Sequence, residues 1–176
     1  MPHPVRLAEP SSLDDVLLYR LSRLLASGGG MVTRLCEGRF GITRREWRIL
    51  ALLAQEEGVL SSQLAQRAQL DRARTSKAIT SLAAKQLLER RQIPGDRRQA
   101  ALALTSAGRA LYEQLFPLVL QINRELLVGL PLADVDRLDA LLDVLQERAD
   151  RMMAAAGPAL PKADRRRGAA GKRPAG

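Results

Sequence analysis

The chain has 176 residues, 46% of them hydrophobic and only 3% aromatic, so its core must be built from Leu, Ala, Ile and Val, which suits packed helices better than a sandwich or barrel. A formal net charge of +9 points to a polyanionic partner, nucleic acid or an anionic membrane surface. A single cysteine, Cys36, excludes an intramolecular disulfide; no run is apolar enough to span a bilayer, and the N-terminus lacks a secretory pattern, so the expected setting is the cytoplasm, off the membrane.

Residues 1–10, with Pro2, Pro4 and Pro10, read as an irregular arm. From Ser11 or Ser12, Leu13, Val16, Leu17, Leu21, Leu24 and Leu25 recur at helical spacing. Gly28-Gly29-Gly30 interrupts that pattern before Met31, Val32 and Leu35 resume it, which predicts a bent or broken first helix, since each glycine costs roughly 1 kcal/mol against alanine. Gly41 ends the segment. Thr43-Arg44-Arg45-Glu46 has the spacing of a capping box, and Trp47, Leu50, Ala51 and Ala54 form the inner stripe of a second helix stopped by Glu56-Glu57-Gly58. Val59-Leu60 reads as a short strand. A third helix is capped by Ser61, with Leu64, Ala65 and Ala68 inward. Asp71 caps a fourth helix running to about Leu87, its inner stripe Thr75, Ile79, Leu82 and Ala83.

Residues 88–105 change period. Two strands around Pro94-Gly95-Asp96, the second alternating through Ala100, Leu102 and Leu104, read as a β-hairpin. Thr105 or Ser106 caps a fifth helix to about Val128 with the stripe Ala107, Leu111, Leu115, Leu118, Ile122 and Leu126, in which Pro117 should produce a bend or mark an early turn. A sixth carries Val135, Leu138, Leu141, Leu142, Leu145 and Met152. The tail 157–176 holds Lys162, Arg165, Arg166, Arg167, Lys172 and Arg173 against Asp164 alone, more than half of the chain's excess charge, and its composition is that of a disordered segment.

The fold class is therefore mainly α with a small β-wing: a winged helix-turn-helix lobe at about 43–105, flanked by helices at about 11–40 and 106–155. On the fourth helix, Arg74, Lys77, Ser81 and Ala84 fall opposite Ile79, Leu82 and Ala83 at 100° per residue, with Arg72, Thr75 and Ser76 in the first turns. These groups suit a DNA groove: Arg and Lys meet phosphate or guanine, Ser and Thr donate or accept. No acid follows Asp71 before Gln86. Arg90, Arg91, Arg97 and Arg98 flank the hairpin turn, where arginine suits a narrow minor groove; Asp96 would pair with Arg97 or Arg98 and hold the tip. Arg90 and Arg91 serve equally well as solubilising strand residues. The outer helices carry more leucine than a lone winged helix buries, which predicts a homodimer whose two recognition helices read a palindromic operator with half-sites about 10 bp apart.

Asp96-Arg97-Arg98 followed by Leu102-Ala103-Leu104-Thr105-Ser106-Ala107-Gly108 resembles the wing signature of the MarR family of winged-helix regulators, an acidic-basic tip and then Leu-x-Leu-Thr-x-x-Gly. The resemblance covers about residues 12–155 in the same element order, leaving out the tail, and the Gly28–Gly30 run departs from the family's first helix. It implies a dimer built from the first, fifth and sixth helices, and an effector pocket between that region and the DNA-binding lobe. It further implies a repressor of catabolic or efflux genes released by a phenolic or heteroaromatic carboxylate, hydroxybenzoate-like or hydroxynicotinate-like. For such an effector, Arg20 and Arg23 are candidate carboxylate receptors, or else surface or interchain arginines; Tyr19 is pocket wall or interface packing; Trp47 is pocket wall or core. Cys36 offers a redox-sensing alternative, which needs an exposed thiol of low pKa. A nonspecific or architectural DNA-binding protein is the other alternative.

Enzymatic chemistry has no foothold in the sequence. The single histidine, His3, lies in the N-terminal arm. No Cys/His metal spacing, glycine-rich phosphate loop or nucleophile-base pair is present, so neither cofactor nor metal is expected.

Overall fold

The computed structural model describes residues 6–93, 96–156 and 159, with backbone only at 93 and 96–99. The chain divides into two compact units, residues 1–126 and 127–176. A short 3-10 turn, Leu13–Asp15, precedes α1 (Leu17–Arg39), α2 (Arg44–Gln55), β1 (Val59–Leu60), α3 (Ser61–Arg67), α4 (Arg72–Ala84), β2 (Leu88–Ile93), β3 (Asp96–Leu104) and α5 (Ser106–Leu127); α6 (Leu132–Ala156) lies in the second unit. Among the described residues no single helix is long and apolar enough to cross a membrane.

α1 is continuous through Gly28-Gly29-Gly30, correcting the expected break. Packing overrides propensity here, because both Gly28 and Gly29 are buried and their missing side chains are filled from outside. A Cβ on Gly28 would lie 3.2 Å from Leu126 Cδ1, and one on Gly29 would lie 2.4 Å from Arg44 Nη1. The two glycines form a notch that admits a leucine from α5 and an arginine from α2.

The capping box closes α2 as its sequence requires. Glu46 N donates to Thr43 Oγ1 at 3.2 Å, and Thr43 N donates to Glu46 Oε2 at 2.6 Å. Trp47 and Leu50 are buried as expected, joined by Ile49 and Leu53, while Ala51 and Ala54 are half-buried. The cap of α3 is Leu60, one residue before the expected Ser61, because Leu60 is held extended by pairing with Ala101 and its N–H donates to Gln63 Oε1 at 2.8 Å. Leu64, Ala65 and Ala68 are buried.

Helices α3 and α4 end in the same way, each with a glutamine in the left-handed region: Gln69 at φ 54° and Gln86 at φ 57°. After α4, Leu87 N donates to Leu82 O at 2.9 Å and Gln86 N to Ala83 O at 3.0 Å, the paired bonds of a Schellman ending. α4 thus stops at Ala84 rather than near Leu87. The three strands pair antiparallel in the order β1-β3-β2, with Val59 opposite Leu102, Leu88 opposite Leu104 and Arg90 opposite Leu102. Sheet and helices close over one core of Cys36, Ile42, Ile49, Leu50, Leu53, Leu64, Ile79, Leu82, Leu88, Leu102, Leu104 and Leu115.

The cap of α5 is Thr105, whose Oγ1 accepts from Gly108 N at 3.0 Å. Pro117 does not interrupt this helix. Its inner positions are Gly108, Leu111 and Leu115; Ala107 is exposed, and Leu126, though set over Gly28, keeps 47% of its surface. In the second unit, α6 buries none of its residues, so Leu138, Leu141, Leu142, Leu145 and Met152 all face solvent.

Candidate nucleic-acid interface

The first turns of α4 set the site. Asp71 accepts from Arg74 N at 2.8 Å and so starts the helix at a fixed point, directing Arg72, Ser76 and Lys77 to solvent while Ala78, Ile79 and Leu82 enter the core. Across from them runs β2. A cleft of about 500 Å³ lies between, lined by Ser61, Ser62, Ala65, Arg72, Ser76, Arg90, Ala100 and Leu102. Among the described residues its charged groups are two arginines and no acid, and its hydroxyls come from two helices. A cleft of this kind matches a phosphate backbone: guanidinium for charge, serine for additional donors.

The expected interface residues divide. Arg72, Ser76 and Lys77 share the exposed face, and Arg72 and Lys77 have no ion-pair partner among the described residues. Arg74 is half-buried, its Nε 3.1 Å from Asp71 Oδ2, a surface pair that costs little to open. Thr75 is 1% exposed and donates from Oγ1 to Asp71 O at 3.0 Å; it belongs to the core, not to the exposed face. Ser81 is half-buried and lies beside the Glu46 carboxylate, whose pKa it helps to lower, so it is turned toward α2 rather than outward. The wing-tip side chains Asp96, Arg97 and Arg98 lie outside the described residues, as does the basic tail from residue 160.

Strand geometry separates the two arginines that the sequence leaves equivalent. Alternate strand residues point to opposite faces. Arg90, opposite Leu102, faces the cleft. Arg91, on the other face, pairs with Glu89 at 2.8 Å and with Glu57 at 3.8 Å, and Arg109 of α5 pairs with the same Glu57. Ser61, Ser62 and Arg90 are thus the residues that sequence reasoning missed or left open; the signal for Arg90 was available only once strand register was fixed.

Of the candidate effector residues, Arg20, Arg23 and Tyr19 lie near one another on α1, and Trp47 is not among them. Arg20 and Arg23 line a shallow cleft with Arg6, Asp14, Asp15, Leu24 and Ser27. Arg23 is committed to Asp14 at 2.8 Å and lies 6.0 Å from the Tyr19 ring centroid. Trp47 belongs to the core, 8% exposed and stacked on Tyr112 at 5.7 Å, which in turn stacks on Phe116 at 5.1 Å.

Cys36 is fully buried. Burial first, and then the Glu37 charge, push its thiol up, against a smaller opposing effect of Arg44. A sensing cysteine needs the opposite, an exposed thiolate. Hydrogen peroxide is therefore expected to leave both the thiol titre and DNA binding of the folded protein unchanged, and a thiol reagent to label Cys36 only at the rate of unfolding; rapid labelling in native buffer would contradict the buried site.

Residues 40–99 match the model of the MarR family. None of the curated proteins compared with the chain matches it in sequence. Among solved structures, a MarR/EmrR family transcriptional regulator from Acinetobacter sp. ADP1 is 26% identical with a TM-score of 0.74, the match covering 80% of this chain and 99% of that one. BpsR of Bordetella bronchiseptica, whose DNA binding is regulated by 6-hydroxynicotinic acid, shares the fold at 24% identity and a TM-score of 0.60, over 72% of this chain and 98% of its own. CouR of Rhodococcus jostii RHA1, solved with p-coumaroyl-CoA, does so at 23% identity and a TM-score of 0.66, over 77% and 94%. The helix-turn-helix, most of the wing and the match to the MarR family model coincide on one segment, residues 40–99, and the chain shares its fold with MarR-family transcriptional regulators.

Proposed function

We propose that the protein is a ligand-responsive repressor that binds a palindromic operator as a homodimer, through Arg72, Arg74, Ser76 and Lys77 of α4 in the major groove and Arg97 and Arg98 of the wing beside it. The observation that carries this reading is the basic cleft between α4 and β2, in which Arg72, Ser76 and Arg90 converge with Ser61 and Ser62 and no acid is found among the described residues. A phosphate strand seated there would leave the outer face of α4 against base edges. The dimer is supported by leucines on α1 and α6 that a single chain leaves in water, among them Leu18, Leu24, Leu25, Leu141 and Leu145; exposed apolar surface on this scale marks an interface.

For the effector we propose a small aromatic or heteroaromatic acid, in keeping with the ligand of BpsR, its carboxylate received by Arg20. Arg20 is exposed beside the α1 cleft and has no ion-pair partner among the described residues. Binding there would favour a spacing of the two recognition helices that mismatches the half-sites.

The test is a salt-resolved titration of DNA from upstream of the protein's own gene against a random duplex of equal length. A specific regulator binds the upstream fragment at least about a thousand-fold more tightly. Equal affinities with a steep salt slope would replace this reading with a nonspecific, architectural one.

A further inference from the structure

An ion pair to a buried carboxylate fixes the C-terminal end of α4. Glu46, in the first turn of α2, is 2% exposed. Lys85, the C-cap residue of α4, sends its Nζ to Glu46 Oε1 at 3.1 Å and Oε2 at 3.0 Å, and donates at 2.8 Å to the carbonyl of Gly41. Gly41 lies in the left-handed corner between α1 and α2, at φ 63°. Ser81, one turn back on α4, lies beside the same carboxylate and helps to lower its pKa. One ammonium thus ties three elements: the corner after α1, the start of α2 and the end of α4. All its hydrogen bonds are directed inward, and only about a third of its surface meets solvent.

We infer that Lys85 and Glu46 act as a positioning pair for operator recognition, fixing the angle at which α4 leaves the core, so that their loss relaxes sequence discrimination rather than general affinity for DNA. The inference rests on the DNA-binding reading above. Its physical basis is the geometry of a lever. α4 is held at its N-terminus by the Asp71 cap and along its length by Ile79 and Leu82; with the far end free, side chains in the first turns swing relative to base edges, whose readout depends on placement. A phosphate contact tolerates such a swing, a paired hydrogen bond to a base does not. The same three-way tie carries any movement of the α1–α2 corner to α4, because neither can shift without breaking a bond to the Lys85 ammonium.

The test compares wild type, Lys85→Met, Lys85→Arg, Glu46→Gln and the Lys85→Met/Glu46→Gln double variant. Each is titrated, as the folded full-length chain, with the upstream fragment and with the random duplex over a range of salt. Lys85→Met is expected to lose about ten-fold in affinity for the upstream fragment while its affinity for random DNA and its salt slope stay at wild-type values. Lys85→Arg, which keeps charge and donors, recovers most of the loss, and the double variant is no worse than the worse single one. A salt slope shallower by about two in Lys85→Met, one per protomer, makes Lys85 a phosphate-binding residue and overturns the inference; so does unchanged discrimination, or a loss that tracks a lowered melting temperature across the set, with Glu46→Gln as the variant that keeps shape. Absence of any wild-type preference between the two DNAs instead strikes at the DNA-binding reading itself, and the inference falls with it.

Discussion

Reversing two charges, Arg72→Glu with Lys77→Glu, is expected to lower affinity for the upstream fragment at least about a thousand-fold, down to or below the level of random DNA. Both side chains stand on the exposed face of α4, one at the first helical position and the other a turn and a half later, so neither supports the core, and the melting temperature should stay close to wild type. Each reversal removes a phosphate or guanine partner and sets a carboxylate against a polyanion; a dimer suffers both changes twice. The salt slope should become shallower by about one for each phosphate that is no longer neutralised. Arg91→Glu is the matched control. Arg91 has the same charge and lies in the wing, but it faces away from the cleft and is bonded to Glu89 and Glu57, so its reversal should change DNA binding several-fold at most.

The largest stability effect is expected from Gly108→Ala. Gly108 lies in the first turn of α5, where an added Cβ would sit 1.9 Å from the Leu87 carbonyl oxygen and 2.9 Å from its carbon. The obstacle is backbone, not a side chain that can rotate away. That carbonyl also accepts from Thr105 N at 3.3 Å, and Thr105 Oγ1 donates to Gln86 O at 2.6 Å while accepting from Gly108 N. Together these interactions lock the end of α4, the end of β3 and the start of α5 into one joint. Alanine must push the joint apart, at a cost above about 3 kcal/mol, the upper end for overpacking. Urea unfolding measures it. Gly38→Ala on α1, with nothing within 4 Å of its Cβ, should be neutral or stabilising by up to about 1 kcal/mol. The Thr-x-x-Gly spacing that marks the wing in the sequence thus has a mechanical meaning: threonine bridges two chain segments and glycine lets them touch.

What was legible in the sequence was what depends on near neighbours. The Thr43–Glu46 capping box, the Asp71 cap and the 3.6-residue stripe of Ile79 and Leu82 are each decided within a turn or two, and each is found in the structure. The misplacements have distant causes. The glycine run of α1 reads as a break until Leu126, nearly a hundred positions later, fills its notch. The end of α4 carries no glycine, because Gln86 takes the left-handed conformation instead, so no terminator was visible. Within the site, Arg72, Ser76 and Lys77 follow from helical periodicity alone. Thr75 was ambiguous from the start, sharing the spacing of the inner stripe. Ser81 faces Glu46, a partner 35 positions upstream, and Arg90 is distinguished from Arg91 only by a register that pairs it with Leu102. Dependence on register is the reason that single-residue shifts along a strand escape pattern reading.

The claim on which the account rests is that the exposed face of α4 lies against duplex DNA. Because Cys36 is buried, a Ser76→Cys variant can be labelled at position 76 alone with a chelate that cleaves DNA by local radical production. Bound to the upstream fragment, the labelled dimer should cut within the protected region at two positions related by a two-fold axis and about one helical turn apart. Cuts confined to DNA outside the protected region, or no cuts from position 76 where a label at Gln121 of α5 produces them, would contradict it.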